Sequence, residues 1–259
     1  MALIYVPKGK AREYSPYALN VYSCGCDHQC KYCYCANIMS GSWSDKARPR
    51  NLNSLENEAS KINRQILLCF MSDPYCTADI KYQQTRTALL TLGRQSCSVA
   101  ILTKGGTRCL RDLDLFTHWP DARIKVGATL TFVSSEKLAH WEPGAAKYED
   151  RVAALEAMHN AGVKTWASIE PVVEPDESLA AIERSLHCVD AYKIGKWNHA
   201  KEAKQIDWAD FGLRAVNMVR RAGKRLYVKD DLRPFLLDGF LTEQECDCDS
   251  LELPERVCV

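Results

Sequence analysis

Hydrophobic and polar positions along the chain follow two alternating patterns. Short, nearly continuous apolar runs are typical of parallel strands that are covered on both faces. They predict strands at residues 19–23, 66–71, 98–103, 124–131, 163–169 and 191–194, with a short final strand at 225–228. Between them, apolar residues recur at steps of three and four, which indicates helices. These helices are predicted at residues 55–64, 83–92, 147–160, 177–186 and 208–221.

Repeated strand-then-helix units imply a parallel sheet with right-handed crossovers. We expect an α/β fold with parallel strands, either an open, partial (β/α)6 barrel of the TIM type or a doubly wound sheet. The 259 residues predict a single domain. Its barrel core covers residues 18–230, with short extensions at both ends and a C-terminal tail at 231–259. In such folds, ligands bind at the carboxyl ends of the strands.

Composition narrows the class of protein. The net charge is +1 and 26% of the residues are charged, which excludes a disordered chain and a strongly basic nucleic-acid coat. Short basic clusters, such as Lys46, Arg48 and Arg50, are interpreted as solvated surface, with a nucleic-acid contact as the alternative. No apolar run is long enough to span a membrane, and the first residues lack a signal-peptide layout. We therefore expect a cytoplasmic protein with no membrane partner.

Thirteen cysteines in such a chain favour metal ligation or thiol chemistry over disulfides. Cys26, Cys30 and Cys33 follow the first predicted strand with the spacing Cys-x3-Cys-x2-Cys. Three thiolates on one loop can bind three irons of a cubane cluster and leave the fourth iron open for the amino and carboxylate groups of S-adenosylmethionine (SAM). The alternative is a zinc site, to which Cys24 or Cys35 would supply a fourth ligand.

This spacing, with Tyr32 in the aromatic position before the last cysteine, resembles the signature of the radical SAM superfamily. The resemblance implies a [4Fe–4S] cluster on Cys26, Cys30 and Cys33. It also implies reductive cleavage of SAM to a 5′-deoxyadenosyl radical that abstracts hydrogen from a substrate. A one-electron donor such as flavodoxin or ferredoxin is the implied partner.

Further segments resemble the spore photoproduct lyase-like branch, also labelled DNA repair photolyase-like. They are SDPYCTADI at 72–80 with TR at 85–86, ILTK at 101–104 with RDL at 111–113, VGATLT at 126–131 with EPG at 142–144 and Arg151, and ASIEP at 167–171 with KIGK at 193–196. This branch implies a lyase-like reaction and favours a nucleobase or nucleic-acid substrate.

The same resemblance assigns catalytic roles. Cys76 would return a hydrogen atom to the substrate radical, and Tyr34 would relay the resulting thiyl radical; the alternative for Cys76 is an ordinary buried cysteine. The predicted cofactor-binding residues are Tyr32, Tyr34, Lys104, Thr129 and Glu170. Their alternatives are a surface lysine at 104, a strand residue at 129 and a turn cap at 170.

Other features leave the substrate open. Cys246, Cys248 and Cys258, joined by Cys24, Cys35 or Cys188, would hold a second cluster or zinc ion; the alternative is a mobile tail without ligands. The chain is shorter than spore photoproduct lyase and lacks a recognisable DNA-binding hairpin. Its net charge of +1 gives no indication of a basic face that would bind phosphates. The alternatives are a radical SAM enzyme acting on a peptide or small molecule, and a non-catalytic iron–sulfur or zinc protein with a redox or interaction role.

Overall fold

The computed structural model describes residues 2–23, 25–35, 43–198 and 200–256. The strands in these residues are β1 Ile4–Tyr5, β2 Tyr17–Leu19, β3 Tyr22–Ser23, β4 Arg48–Pro49, β5 Ile66–Leu68, β6 Val99–Thr103, β7 Ile124–Thr129, β8 Lys164–Ile169, β9 Ala191–Ile194 and β10 Arg225–Val228. The α-helices are α1 Leu55–Ala59, α2 Thr77–Tyr82, α3 Gln84–Arg94, α4 Leu113–Thr117, α5 Ser135–Trp141, α6 Tyr148–Asn160, α7 Pro175–Ser185, α8 Trp208–Arg221 and α9 Glu243–Cys246.

Eight strands form one sheet in the order β1-β2-β5-β6-β7-β8-β9-β10. All neighbours from β2 to β10 are parallel, and β1 adds an antiparallel strand at the edge of the sheet. The α/β class with parallel strands is therefore confirmed, and the architecture is that of an open, partial barrel. In the part of the chain that the structure describes, β1 and β10 end the strand order without pairing to each other, so the sheet does not close.

Two predicted strands differ from the observed ones. The predicted strand at 19–23 is divided, because β3 leaves the main sheet and pairs with β4 instead. The predicted strand at 66–71 ends at Leu68, because the side chain of Asn20 accepts hydrogen bonds from the backbone of Phe70 at 2.8 Å and Met71 at 3.1 Å. The helix predicted at 55–64 ends at Ala59. The other predicted strands and helices lie within two residues of their predicted bounds, whereas the short helices α2, α4, α5 and α9 were not predicted.

Apolar side chains fill the layer between the sheet and its helices. The N-terminal segment crosses the gap between the edge strands. Its Glu13 accepts hydrogen bonds from the Tyr227 hydroxyl at 2.7 Å and from the Asp230 backbone at 2.8 Å, both at the end of β10. The gap in the barrel is thereby bridged by residues that lie far apart in the sequence.

The C-terminal tail packs under the amino-terminal edge of the sheet. The Leu253 backbone donates to the Gln65 side chain at 3.2 Å, just before β5. Asp249 forms ion pairs with Arg12 at 2.9 Å and with Arg64 at 2.8 Å. For the described residues of the tail, up to Arg256, the interpretation as mobile was therefore wrong, because these long-range ion pairs and hydrogen bonds attach them to the barrel. Among the residues that the structure describes, no helix is long and apolar enough to cross a membrane.

Candidate functional site

The loop that carries the cysteine motif, residues 25–33, is fixed by backbone contacts on both sides. Cys26 donates to the carbonyl of Ser44 at 3.3 Å, and Lys31 donates to that of Trp141 at 2.9 Å. A β-carbon added at Gly144 would lie 1.9 Å from the Asp27 carbonyl oxygen. A side chain at position 144 is thus incompatible with this close approach, which explains the glycine there.

Cys26, Cys30 and Cys33 are all half-buried on this loop, and no disulfide links the cysteines that the structure describes. The Cys33 backbone donates to the Cys30 carbonyl at 3.0 Å, which makes a tight turn between these two residues. Burial raises the pKa of Cys30 to about 11, and the positive charge of Lys104 opposes that shift. A cation therefore lies close to one of the predicted iron ligands.

Lys104 follows the end of β6 and points toward the motif. Its Nζ atom lies 5.3 Å from the centre of the Tyr32 ring and 4.0 Å from Oε1 of Glu142, and its side chain is 17% exposed. Burial disfavours the charged form, but Cys30 and Glu142 outweigh it and raise the pKa of Lys104. The reading of Lys104 as a surface lysine does not fit this position.

Glu142 is the centre of a buried polar cluster behind the loop. Its carboxylate pairs with Arg151 and accepts hydrogen bonds from the hydroxyls of Tyr32 and, at 2.7 Å, Thr131. Burial works against ionisation, but Arg151 and Lys104 hold the pKa of Glu142 down at about 2. Two cations face one carboxylate, so one positive charge remains beside Cys30 and Cys33. Cys26 instead lies near the carboxylates of Asp73 and Asp27.

Asp73 ties the strand ends to the motif. Its carboxylate accepts from the Thr103 hydroxyl at 2.6 Å and from the Lys104 backbone at 2.6 Å, and it lies 3.1 Å from Nε2 of His28. Burial raises the pKa of Asp73, but the contacts with His28 and these donors outweigh it and lower that pKa well below its ordinary value. Asp73 thus fixes the end of β6 against the cysteine loop.

Cys76 precedes α2 and is fully buried. The backbone of the next residue, Thr77, donates to the Asp27 carboxylate on the cysteine loop, so Cys76 lies beside that loop. It also lines a cleft of about 210 Å³, together with Tyr75, Asp79, Ile80, Arg108 and Arg111. Tyr34, at the other end of the loop, is 42% exposed.

Thr129 and Glu170 lie at the carboxyl ends of the neighbouring strands β7 and β8. Thr129 is buried, pairs with Ser168, and its carbonyl accepts from Arg151 at 2.9 Å. Glu170 accepts from the Tyr14 hydroxyl at 2.7 Å and from Lys229 at 2.6 Å. Burial raises the pKa of Tyr14, and Glu170 and the nearby Tyr34 add to that effect.

Sequence reasoning therefore located residues that the fold brings to one edge of the sheet, but it missed several that organise them. Glu142, Arg151 and Asp73 lie in the segments that resemble spore photoproduct lyase, but the sequence predicted no role for them, nor for His28 or Tyr14. Glu142 could have been found from the sequence, because it begins the Glu-Pro-Gly segment at 142–144 that resembles spore photoproduct lyase. Cys24 and Cys258 lie outside the described residues, so a second metal site that includes them stays a prediction.

Comparison with known proteins decides the family. The model of the radical SAM superfamily matches residues 20–189, which contain the cysteine motif and the strand ends described above. The chain belongs to the radical SAM superfamily. A curated relative, an uncharacterized protein of Methanocaldococcus jannaschii, is 31% identical over 165 residues, which is 62% of this chain and 61% of that protein.

Solved structures share the fold of this radical SAM protein. A variant of spore photoproduct lyase superposes with a TM-score of 0.66 at 14% identity, over 87% of this chain and 79% of that one. Another variant of the lyase, with bound SAM and a dinucleoside spore photoproduct, gives 0.65 at 15% identity, over 84% and 77%. SuiB from Streptococcus suis, bound to SAM, gives 0.61 at 11% identity, over 82% of this chain and half, 50%, of SuiB. These identities establish the fold alone.

Proposed function

We propose that this protein cleaves SAM reductively at a [4Fe–4S] cluster held by Cys26, Cys30 and Cys33. When bound, the cluster supplies one electron to the SAM sulfonium, which separates into methionine and a 5′-deoxyadenosyl radical that abstracts hydrogen from a substrate. The observation that carries the proposal is the arrangement of a three-cysteine loop against a half-buried lysine, Lys104, at the carboxyl edge of a radical SAM barrel.

The residues present fit such a cluster. Three thiolates add negative charge when they bind iron, and burial alone would disfavour that charge. Lys104 and Arg151 together exceed the charge of Glu142, and the remaining positive charge lies beside Cys30. Cys35 is buried, and its thiol contacts the Phe70 carbonyl at 3.6 Å and also the thiol of Cys33. It is therefore the residue that would supply the fourth ligand in the zinc alternative.

The roles of the other residues follow from their positions. Lys104 would bind the SAM carboxylate, since it follows the end of β6 and its Nζ atom lies 5.3 Å from the centre of the Tyr32 ring on the cysteine loop. Tyr32 and Tyr34 would flank the cofactor from the cysteine loop, and Thr129 would contact it from the end of β7. Glu170, held by Tyr14 and Lys229, would bind the ribose or the substrate.

A nucleobase-containing substrate is favoured. Tyr14 packs edge-on against Phe70, with 5.8 Å between ring centres, and its hydroxyl meets the Glu170 carboxylate. An aromatic surface next to hydrogen-bonding groups suits recognition of an unstacked base. The lyase structure with a dinucleoside spore photoproduct supports this class, and SuiB bound to its precursor peptide supports the peptide alternative. Cys76 as hydrogen donor and Tyr34 as relay belong to the same proposal.

Turnover of SAM tests the proposal. The protein is reconstituted anaerobically with iron and sulfide, then given SAM and dithionite, and 5′-deoxyadenosine is measured. We expect release by the wild type, and for Lys104→Met a KM for SAM raised roughly tenfold, measured per cluster bound, the effect of a lost charged contact. Lys201→Met, at an exposed lysine far along the chain, is the matched control. A protein that binds zinc alone and never cleaves SAM would favour the non-catalytic alternative.

A further inference from the structure

A surface next to the cysteine loop combines exposed cations with exposed apolar side chains. It consists of Lys46 and Arg48 at β4 and of Ile80, Lys81 and Tyr82 on α2, and is called here the α2–β4 surface. The two elements contact each other. Ile80 is 61% exposed and Tyr82 48%, although apolar side chains of this size are usually buried. Exposed apolar groups among charges are typical of a protein-binding surface.

The charge on this surface has little compensation. The carboxylate of Asp79, on the buried side of α2, already accepts from the Tyr22 hydroxyl at 2.6 Å and pairs with Arg111 at 2.6 Å. Asp45 is the exposed acid next to Lys46 among the described residues of β4 and its preceding loop. Residues 36–42 carry no charged side chain in the sequence. Three cations against one carboxylate make the surface positive.

The surface directly adjoins the cysteine loop. Cys26 donates its backbone hydrogen bond to the Ser44 carbonyl, two residues before Lys46. A β-carbon at Gly25 would lie 2.6 Å from the carbonyl oxygen of Lys46, so no side chain separates these two stretches of backbone. On the other side, Asp27 accepts from the first residue of α2, Thr77. Both elements of the surface thus touch the residues that flank Cys26.

We propose that the α2–β4 surface docks a one-electron carrier protein with an acidic face, and that the electron enters through the Cys26 side of the loop. The inference rests on the proposed function, because it concerns the reductant of the same site. In each docking event the reduced carrier loses one electron and the bound cluster gains it. Electron tunnelling slows steeply with distance. A carrier that docks where only backbone separates it from a cluster ligand therefore transfers its electron faster than one that docks elsewhere.

The chemistry of the surface selects this partner. Opposite charge accelerates the encounter of two proteins by one to three orders of magnitude at low salt. Ile80 and Tyr82 would form the apolar centre of the contact, surrounded by the cations. A nucleic acid is the other polyanion that such cations attract. The exposed aliphatic side chain of Ile80 offers a nucleic acid neither a hydrogen bond nor a stacking face, which favours a protein partner.

The test compares two reductants on the full-length, reconstituted protein. SAM cleavage is driven either by dithionite, which needs no docking, or by a reduced acidic flavodoxin. The variant is Lys46→Glu with Arg48→Glu and Lys81→Glu. The control is Lys201→Glu with Lys204→Glu and Arg221→Glu, three exposed cations near the β9–β10 edge. We expect the α2–β4 variant to lose roughly tenfold in the flavodoxin-driven rate at low salt, with the dithionite-driven rate unchanged, and the control to match the wild type.

Direct binding separates this inference from the proposed function. Calorimetric titration with oxidised flavodoxin should show weaker binding by the α2–β4 variant than by wild type or control. If dithionite gives no SAM cleavage in the wild type but the variant still loses flavodoxin binding, the proposed reaction fails and the docking surface stands. An unchanged flavodoxin-driven rate or unchanged binding in the variant overturns the inference, as does a variant that loses only affinity for a single-stranded oligonucleotide.

Discussion

Replacing Glu142 by glutamine removes the carboxylate between the buried Arg151 and the half-buried Lys104. Glu142 and Arg151 are 2% and 1% exposed, and Lys104 lies at 4.0 Å from the same carboxylate. Breaking a buried ion pair on one side costs about 3–5 kcal/mol, because the partner charge stays buried without compensation. The pKa of Glu142 gives a similar figure: a fall from 4.5 to about 2 corresponds to about 3 kcal/mol at about 1.4 kcal/mol per unit.

We therefore expect Glu142→Gln to lower the free energy of unfolding by about 3 kcal/mol at pH 7, or Tm by roughly 6–12 °C for a domain of this size. Because the folded-state pKa is depressed, the stabilisation is present above pH 4.5 and is lost as pH falls toward 2. Urea unfolding followed by tryptophan fluorescence measures both effects. Glu149→Gln, an exposed glutamate on α6, is the matched control.

A double variant makes the reasoning refutable. Glu142→Leu with Arg151→Met removes both charges and replaces them with apolar groups of similar size, so it should recover at least half of the loss. The ion-pair account is refuted if Glu142→Gln stays within about 1 kcal/mol of the wild type, or if the double variant is less stable than the single one.

Three further outcomes are expected. Gly144→Ala should reduce iron incorporation severalfold while far-ultraviolet circular dichroism stays unchanged, because its β-carbon meets the Asp27 carbonyl; full incorporation would contradict the close packing. Burial and then Asp249 raise the pKa of Glu252 to about 7, so the folded state keeps this proton at a pH where the unfolded state has lost it. Glu252→Gln should therefore become progressively more stable than the wild type as pH rises from about 4.5 to 7, by the order of 2 kcal/mol. Urea titrations at several pH values measure this difference, and a difference that stays constant with pH would contradict it. Cys76→Ala should leave 5′-deoxyadenosine release intact but change the product ratio seen by mass spectrometry; loss of cluster assembly would contradict the donor role.

The parallel core of the fold could be predicted because its signals are local. The strands β6, β7 and β8 are short apolar runs, and α8 ends where its apolar residues cease to recur at steps of three and four. The spacing of the apolar residues and the length of each run therefore identified these elements. The cysteine spacing was equally local, since three ligands within eight residues need no knowledge of the tertiary structure. The edge elements were less predictable: β3 is short, and its antiparallel pairing with β4 depends on a partner far along the chain.

The polar network around the site could not be predicted in the same way. Sequence shows that Glu142, Arg151 and His28 are polar, but not that the first two meet in a buried pair or that the third faces Asp73. Tyr14 and Glu170 lie more than 150 positions apart in the sequence, and the spacing of apolar residues gives no information about a contact over that distance. The tail was misread for the same reason, because Asp249 and Leu253 are held by partners near the N-terminus and before β5.

The central claim is that three cysteines hold a cluster whose remaining iron binds SAM. Electron paramagnetic resonance of the dithionite-reduced, reconstituted protein tests it most directly, with spectra recorded before and after SAM is added. We predict a signal of a reduced [4Fe–4S] cluster that changes on addition of SAM and is lost in Cys30→Ala. A signal that SAM leaves unchanged, or a protein that takes up no iron at all, would contradict the account.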